Sequence, residues 1–262
     1  MDLSIIIPVR NGKVHLERCL PSLFAQEIPP PFEVILVDNN SRDGTGSWIQ
    51  SHYPNLRFVP QEKNGGFARA VNRGLSLAQG QYLLCLNQDT WLFPDALATL
   101  TEFTDRTPEA GIVGGKILNS DGSLQFSCRT FPKLSQTFFH RGSLLTRLFP
   151  RNSFTRNYLL SDWDHGDTRP VDWVSGAFLL IRRRTLQEIG PLDERFFLYC
   201  EDVDWCRRAK EAGWRVFYHP QSRVIHFGGH SYPSLRAFFE HYRSMWRYYF
   251  KYVHGRRSLQ YP

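Results

Sequence analysis

At 262 residues the chain has room for one large α/β domain or two small ones, and its 42% hydrophobic, 22% charged and 15% aromatic composition excludes a disordered protein. Five cysteines (Cys19, Cys85, Cys128, Cys200, Cys206), odd in number and without a Cys-x-x-Cys pair, argue against a disulfide framework or zinc knuckle and for a reducing compartment. Of the net charge of +7, six basic residues against Glu240 alone place +5 between Gly228 and Pro262, which points to an anionic surface, membrane or nucleic acid.

Leu3 to Pro8 reads as a buried strand entered at once from the N-terminus, so no secretory signal is expected. A helix carrying Leu16, Cys19, Leu20, Leu23 and Phe24 at helical spacing follows, and Pro29-Pro30-Pro31 ends it. Phe32 to Val37 is a second strand, a short helix starts near Thr45, and Leu56 to Val59 is a third strand. Asn64-Gly65-Gly66-Phe67 opens a helix with Ala68, Val71, Leu75 and Ala78 on one face. Tyr82 to Leu86 is a short apolar run that ends in Asn87-Gln88-Asp89-Thr90, before a helix from Asp95 to Phe103. Asp89 by itself suits ligand chemistry at a strand end or a cap on that helix.

Such strand–helix alternation predicts βαβ units and a mostly parallel sheet with flanking helices, a Rossmann-like nucleotide-binding half over residues 1–115. Three polar strand tips, Pro8-x-x-Asn11, Asp38-Asn39-Asn40 and Asn87-x-Asp89, should gather at its carboxyl edge. Ile117 to Phe131 reads as a hairpin about Asn119–Gly122. Pro132 to Pro170 has no clear periodicity and reads as a long loop region. Val171 to Arg183 is a strand leading into a short helix, and its apolar run is too short to span a bilayer. Another helix runs from about Glu201 to Ala212, and two short strands lie near Val216-Phe217 and Val224-Ile225. From Ser234 to His254 an amphipathic helix carries Leu235, Phe238, Phe239, Tyr242, Met245, Trp246, Tyr249, Phe250 and Val253 as an apolar stripe flanked by Arg236, Arg243, Arg247 and Lys251. That stripe suits docking on the domain or an interfacial helix on an anionic membrane.

In this order, Asp38, Asn64-Gly65-Gly66, Asn87-x-Asp89, Trp173-x-x-Gly176-Ala177 and Glu201-Asp202-x-Asp204 resemble the inverting family 2 glycosyltransferases of GT-A type, over roughly residues 3–230. Within them the chain looks most like the bacterial rhamnosyltransferase branch. The resemblance implies one domain over 1–230, with an acceptor half at 116–230, and an aromatic-basic tail at 231–262. It implies transfer of a sugar, rhamnose from a dTDP donor favoured and UDP- or GDP-sugars as alternatives, to a lipid-linked or cell-surface polysaccharide acceptor. Pro8, Asn11, Asp38, Asn64, Gly65, Arg69 and Asn87 would bind the donor. Asp89, with His226, would ligate Mg²⁺ or Mn²⁺. Asp202 would be the base, with Glu201 beside it and Glu201 or Asp204 as alternative bases, and Trp173, Gly176 and Ala177 would line the acceptor subsite.

Asn87 departs from the family's first Asp and removes a negative charge, which keeps a catalytically weak nucleotide-sugar-binding homologue in view. A sugar nucleotidyltransferase lacks support, because Val9-Arg10-Asn11-Gly12 is not a glycine-rich loop with a following basic residue. Nucleic acid is not an expected partner, because the basic residues lie on one amphipathic helix. The expected location is cytoplasmic, including the inner membrane face through residues 234–254, with homodimerisation left open.

Overall fold

Along β1 (Leu3–Val9), Ile5 and Ile7 pack into one hydrophobic cluster and Ile6 into another, so the strand is buried on both faces. That two-sided burial is why its apolar residues run on without alternation. The structure is a computed structural model that describes residues 2–132, 152–228 and 235–254. After β1 come α1 (Lys13–Phe24), β2 (Phe32–Asp38), α2 (Thr45–His52), β3 (Arg57–Pro60), α3 (Phe67–Leu75) and β4 (Tyr82–Leu86). The four strands pair in parallel in the order β3-β2-β1-β4, the arrangement that short helical crossovers permit.

Beyond β4 the sheet becomes mixed. Then come β5 (Thr90–Leu92), α4 (Ala96–Arg106), β6 (Ala110–Leu118), β7 (Leu124–Gln125), β8 (Cys128–Arg129), α5 (Ser153–Leu159), β9 (Arg169–Val171), β10 (Trp173–Val174), β11 (Phe178–Arg182), α6 (Arg183–Ile189), α7 (Glu201–Glu211), β12 (Arg215–His226) and α8 (Leu235–Tyr249). The sheet continues β4-β11-β6-β12-β5, with β11 antiparallel to both neighbours and β12 parallel to β6. Because β11 runs against β4, its first residues meet the last of β4, and the segment before Phe178 reaches the same edge as Asn87.

Several elements differ from the sequence expectation. The expected strand from Val171 is three short ones, with β10 leaving the main sheet to pair with β8. The two short strands near Val216 and Val224 are one long β12, because a register shift between His219 and Arg223 lets a single strand bend along β6. Of the expected loop, 133–151 lies outside the described residues and Ser153–Leu159 is helical, its N-terminus capped by Asn152. All five cysteines are free and buried.

The C-terminal helix lies with an unexpected face inward. Ser244 and Tyr248 are buried, as is Tyr252 just beyond α8, whereas Phe239, Trp246 and Phe250 are 68%, 48% and 52% exposed. Polar groups explain the choice. The Ser244 hydroxyl donates to the Leu198 carbonyl (2.8 Å), Arg207 donates to the Tyr248 hydroxyl (3.0 Å), and the Tyr252 hydroxyl donates to Asp204 (2.6 Å). A tyrosine can be buried when its hydroxyl finds a partner, so the helix docks by Ser244, Tyr248 and Tyr252 with Met245 of the apolar stripe beside them, and leaves Phe239, Trp246 and Phe250 of that stripe outside. No described helix is long and apolar enough to cross a membrane.

Candidate active site

The edge formed by the ends of β1, β2 and β4 is tied together by side chains that bond to neighbouring tips. At the end of β2, Asp38 accepts from the Ser41 backbone N–H (3.1 Å) and from the Ser41 hydroxyl. The Asn11 N–H reaches that same hydroxyl at 2.8 Å, and Asn11 Oδ1 accepts from the Arg42 N–H at 2.8 Å. Pro8, near the end of β1, is half-buried. Gln88 does the same between β4 and β1, its Oε1 accepting from the Arg10 N–H at 2.9 Å. The three tips therefore form one connected rim.

Asn39, buried beside Asp38, holds the glycine loop. Its Oδ1 accepts from the Gly65 N–H (2.8 Å) and its Nδ2 donates to the Gly66 carbonyl (3.0 Å), while Asn64 accepts from the Gly66 N–H (3.1 Å). Gly66 has φ +90°, and a Cβ there would stand 2.4 Å from the Phe197 carbonyl oxygen. Only glycine fits this close approach. Arg69, expected to reach ribose or phosphate, is exposed and paired with Glu194 at 3.0 Å.

Asp89 and His226 meet on the other side of the rim, where β12 ends beside β5. His226 Nε2 lies 3.2 Å from Asp89 Oδ1 and 3.2 Å from Asn87 Nδ2. His226 Nδ1 donates to Gln125 Oε1 at 2.8 Å, and the Gln125 amide nitrogen donates to Asn119 Oδ1 at 2.8 Å. Gln125 thus holds the ring with Nε2 facing Asp89, where a charged imidazole donates Nε2–H to the carboxylate. Burial works to raise the Asp89 carboxyl, but the His226 contact and the charges of His226 and His15 outweigh it and hold the carboxyl below its usual value. Gly228 lets the chain pass here, since a Cβ would stand 2.2 Å from Asp89 Oδ2.

Glu201 and Asp202 begin α7 after two consecutive left-handed residues, Tyr199 (φ 68°) and Cys200 (φ 67°). Such strained backbone outside glycine persists where surrounding packing holds it, and it clusters at functional sites. Asp202 Oδ2 accepts from the Gly176 N–H (3.0 Å) and Oδ1 from the Val203 N–H (2.8 Å), so two backbone donors orient the carboxylate. Burial raises the Asp202 carboxyl, opposed by those N–H groups and by the Arg129 charge. Glu201 is 5% exposed, with Oε2 lacking any hydrogen-bond partner. Burial, and then the Asp202 charge, pushes the Glu201 carboxyl well above the carboxylate range.

Asp204 is not available as a base. It is fully buried and points away, accepting from Lys251 Nζ (2.5 Å), the Tyr252 hydroxyl (2.6 Å) and Arg208 Nε (2.9 Å). Gly176 lies beside Asp202, with a would-be Cβ 3.6 Å from the Asp202 Cβ. Ala177 is a core residue whose carbonyl accepts the Asn87 N–H at 2.9 Å, so its methyl lines no open subsite. Trp173 is 6% exposed, with Nε1 donating to the Thr130 carbonyl at 2.9 Å, and it offers no open ring for a sugar. Asn39, Gln125 and Arg129 were not singled out in the sequence. Asn39 stood within a noted tip, but nothing local marks Gln125 or Arg129.

The family described as glycosyl transferase family 2 matches residues 4–189, well over half the chain. The chain belongs to glycosyl transferase family 2. This family 2 glycosyltransferase is 36% identical over 242 residues (87% of this chain, 77% of the relative) to the N-acetylglucosaminyl-diphospho-decaprenol L-rhamnosyltransferase of Mycobacterium tuberculosis. It is 28% identical over 258 residues (93% and 91%) to the rhamnosyltransferase WbbL of Escherichia coli. Its fold matches that of the mannosyltransferase PcManGT of Pyrobaculum calidifontis, solved with GDP-Man and Mn²⁺, at TM-score 0.60, 21% identity and 87% coverage of this chain. It matches S. aureus TarS 1–349 in complex with UDP at TM-score 0.60, 20% identity and 94% coverage. The chain spans 57% and 64% of those two solved chains.

Proposed function

We propose that this glycosyltransferase moves L-rhamnose, with inversion, from a nucleoside-diphosphate donor to a hydroxyl of a saccharide carried on a lipid diphosphate. dTDP-rhamnose is the favoured donor, with UDP- and GDP-sugars as alternatives. The relatives named as rhamnosyltransferases support the sugar, and the M. tuberculosis relative's name supports the acceptor class. The observation that carries the chemistry is the placement of an Asp202 carboxylate oriented by backbone N–H groups at the same sheet edge as the Asp89–His226 pair.

The donor half of the reading assigns the base and ribose to the rim of Pro8, Asn11 and Asp38, and the diphosphate to the mouth of the Asn64–Gly65–Gly66 loop beside Asn87. Asp89 and His226 fit a divalent cation: a carboxylate oxygen and an imidazole nitrogen stand together with Gln125 behind the ring, and a cation would take the place of the imidazole proton. Among the described residues no group of three or more His, Cys, Asp or Glu side chains could hold a metal, so the diphosphate and water would complete the shell. Mg²⁺ or Mn²⁺ bound there would neutralise charge on the departing diphosphate.

Asp202 then takes the proton from the acceptor hydroxyl as its oxygen attacks the anomeric carbon from the face opposite the nucleotide, which inverts that centre. The Gly176 and Val203 N–H groups use one lone pair on each carboxylate oxygen and leave the others for the hydroxyl. Burial raises both carboxyls, and the raised Asp202 value makes it a stronger base than a free aspartate. The exposed Phe239, Trp246 and Phe250 face of α8, with 60%-exposed Arg243 among them, would hold the protein at the membrane that carries the acceptor.

The test is nucleotide release from a panel of dTDP-, UDP- and GDP-sugars with Mg²⁺ or Mn²⁺ and a short-chain lipid-diphosphate N-acetylglucosamine acceptor. Turnover is expected with dTDP-rhamnose. No turnover or binding with any donor sinks the enzyme reading, and preference for another donor sinks the rhamnose assignment.

A further inference from the structure

Arg129 is a cation that the mechanism above leaves unused. It lies on β8, in register with Trp173 of β10. The next bond along the same hairpin, from the Ser175 N–H to the Ser127 carbonyl (2.8 Å), leads directly to Gly176, whose N–H orients Asp202. The guanidinium sits over the Trp173 ring at 5.1 Å and the Tyr158 ring at 5.4 Å, and Nε donates to the Phe126 carbonyl at 3.1 Å. Arg129 is half-buried. Among the described residues no carboxylate pairs with it, whereas Arg69 is paired with Glu194.

A guanidinium drawn out of water without an anion costs free energy that aromatic faces offset only in part. Here Nε is spent on the Phe126 carbonyl, Tyr158 takes a further hydrogen bond, and the rings hold the plane, so the rest of the guanidinium is fixed as a donor of the kind that matches phosphate. Its charge is close enough to act on Asp202, yet the two do not form an ion pair. In the proposed arrangement a sugar whose hydroxyl meets Asp202 lies beside the β8–β10 pair that carries Arg129. A diphosphate on that sugar's own anomeric oxygen would then lie across the ring, toward Arg129. The donor's diphosphate belongs at Asp89 and His226, on the main sheet rather than on the β8–β10 pair.

We propose that Arg129 is an anion-binding residue of the acceptor subsite and receives the diphosphate that joins the acceptor sugar to its lipid. This rests on reading the acceptor as lipid-diphosphate-linked. It separates such acceptors from neutral glycosides by a charge beside the base rather than by contacts to the sugar.

Isothermal titration tests it with four probes: N-acetylglucosaminyl-diphospho-farnesol, the uncharged farnesyl N-acetylglucosaminide, farnesyl diphosphate and dTDP. Wild-type protein is expected to bind the diphosphate-linked sugar at least about tenfold more tightly than the neutral glycoside, as a hydrogen-bonded charge pair warrants. Arg129→Met should bring that ratio near unity, Arg129→Lys should restore part of it, and dTDP affinity should stay unchanged in both, which also reports an intact fold. An undiminished ratio in Arg129→Met, or lost dTDP affinity in its place, overturns the proposal. Arg129-dependent binding of farnesyl diphosphate with no added affinity from the sugar keeps the anion site and sinks the acceptor reading. Failure of wild-type protein to bind any lipid diphosphate overturns the anion site itself.

Discussion

Lys251 lies 2.5 Å from Asp204, two residues beyond the candidate base, and so ties the C-terminal segment to the helix that carries that candidate. The same ammonium reaches Asp193 at 2.9 Å, and Arg247 donates to the Arg195 carbonyl. These contacts clamp the turn that leads into Glu201 and Asp202. Removing one partner of a buried pair leaves a charge uncompensated, so Asp204→Ala should cost roughly 3–5 kcal/mol. Urea unfolding measures this. A loss within the range of an exposed surface pair would show that α8 docks independently of Asp204.

Gln125 touches neither donor nor acceptor in the proposed arrangement and acts only through His226. Outer partners of a metal-binding histidine fix its tautomer, so Gln125→Leu should weaken Mn²⁺ binding in the presence of dTDP by about 10–100-fold. Electron paramagnetic resonance of free Mn²⁺ reads the change, and dTDP binding without metal should not move. Unchanged Mn²⁺ affinity would remove Gln125 from the site.

The adjacent carboxyls make opposite pH predictions. Asp202 must be ionised to act, so kcat/KM should rise with pH through its raised value, and Asp202→Asn should lose about 10²–10⁴-fold in kcat with the donor KM little altered. Full activity in that variant would rule out Asp202 as the base.

For Glu201 the folded value lies well above the ordinary 4.5, so the folded protein binds the extra proton. Its contribution to stability is fully present below the unfolded value and is lost as pH rises through the folded one. Glu201→Gln removes that dependence, so the stability of the variant relative to wild type should climb with pH. Unfolding midpoints from pH 4 to 9 test this, and a constant difference would contradict it.

On α8, Phe239, Trp246 and Phe250 are exposed while Arg247 and Lys251 are spent on the domain. Replacing the three aromatics by serine should therefore reduce partition onto anionic vesicles by at least about tenfold without lowering thermal stability, as lost interfacial burial of three rings implies. Undiminished partition would place membrane contact elsewhere.

Much of the donor edge was legible because parallel βαβ units bring successive strand ends to one edge, whatever the loops contain. Pro8, Asn11, Asp38 and Asn87-x-Asp89 could be placed that way from local order alone. Gln125 and Arg129 could not. Each acts through a partner far along the chain, His226 at a separation of 101 residues and Trp173 through a two-residue strand pair, and neither contact leaves a periodic trace. The orientation of α8 was unreadable for another reason: helical spacing shows which residues share a face but not which face finds hydrogen-bond partners.

Asn87-Gln88-Asp89 shows both halves of the division. The amino-acid order alone determined that a buried strand ends there in a carboxylate and that an amide replaces a charge at the first position, because burial and strand length are local properties. The tertiary structure decided what those groups meet. Only the long β12, bent along β6 and paired with β5, brings His226 across to Asp89 and Asn87. Only the antiparallel β11 sets Gly176 against Asp202 at that same edge. Such meetings depend on register between distant strands, and register is a property of the assembled sheet.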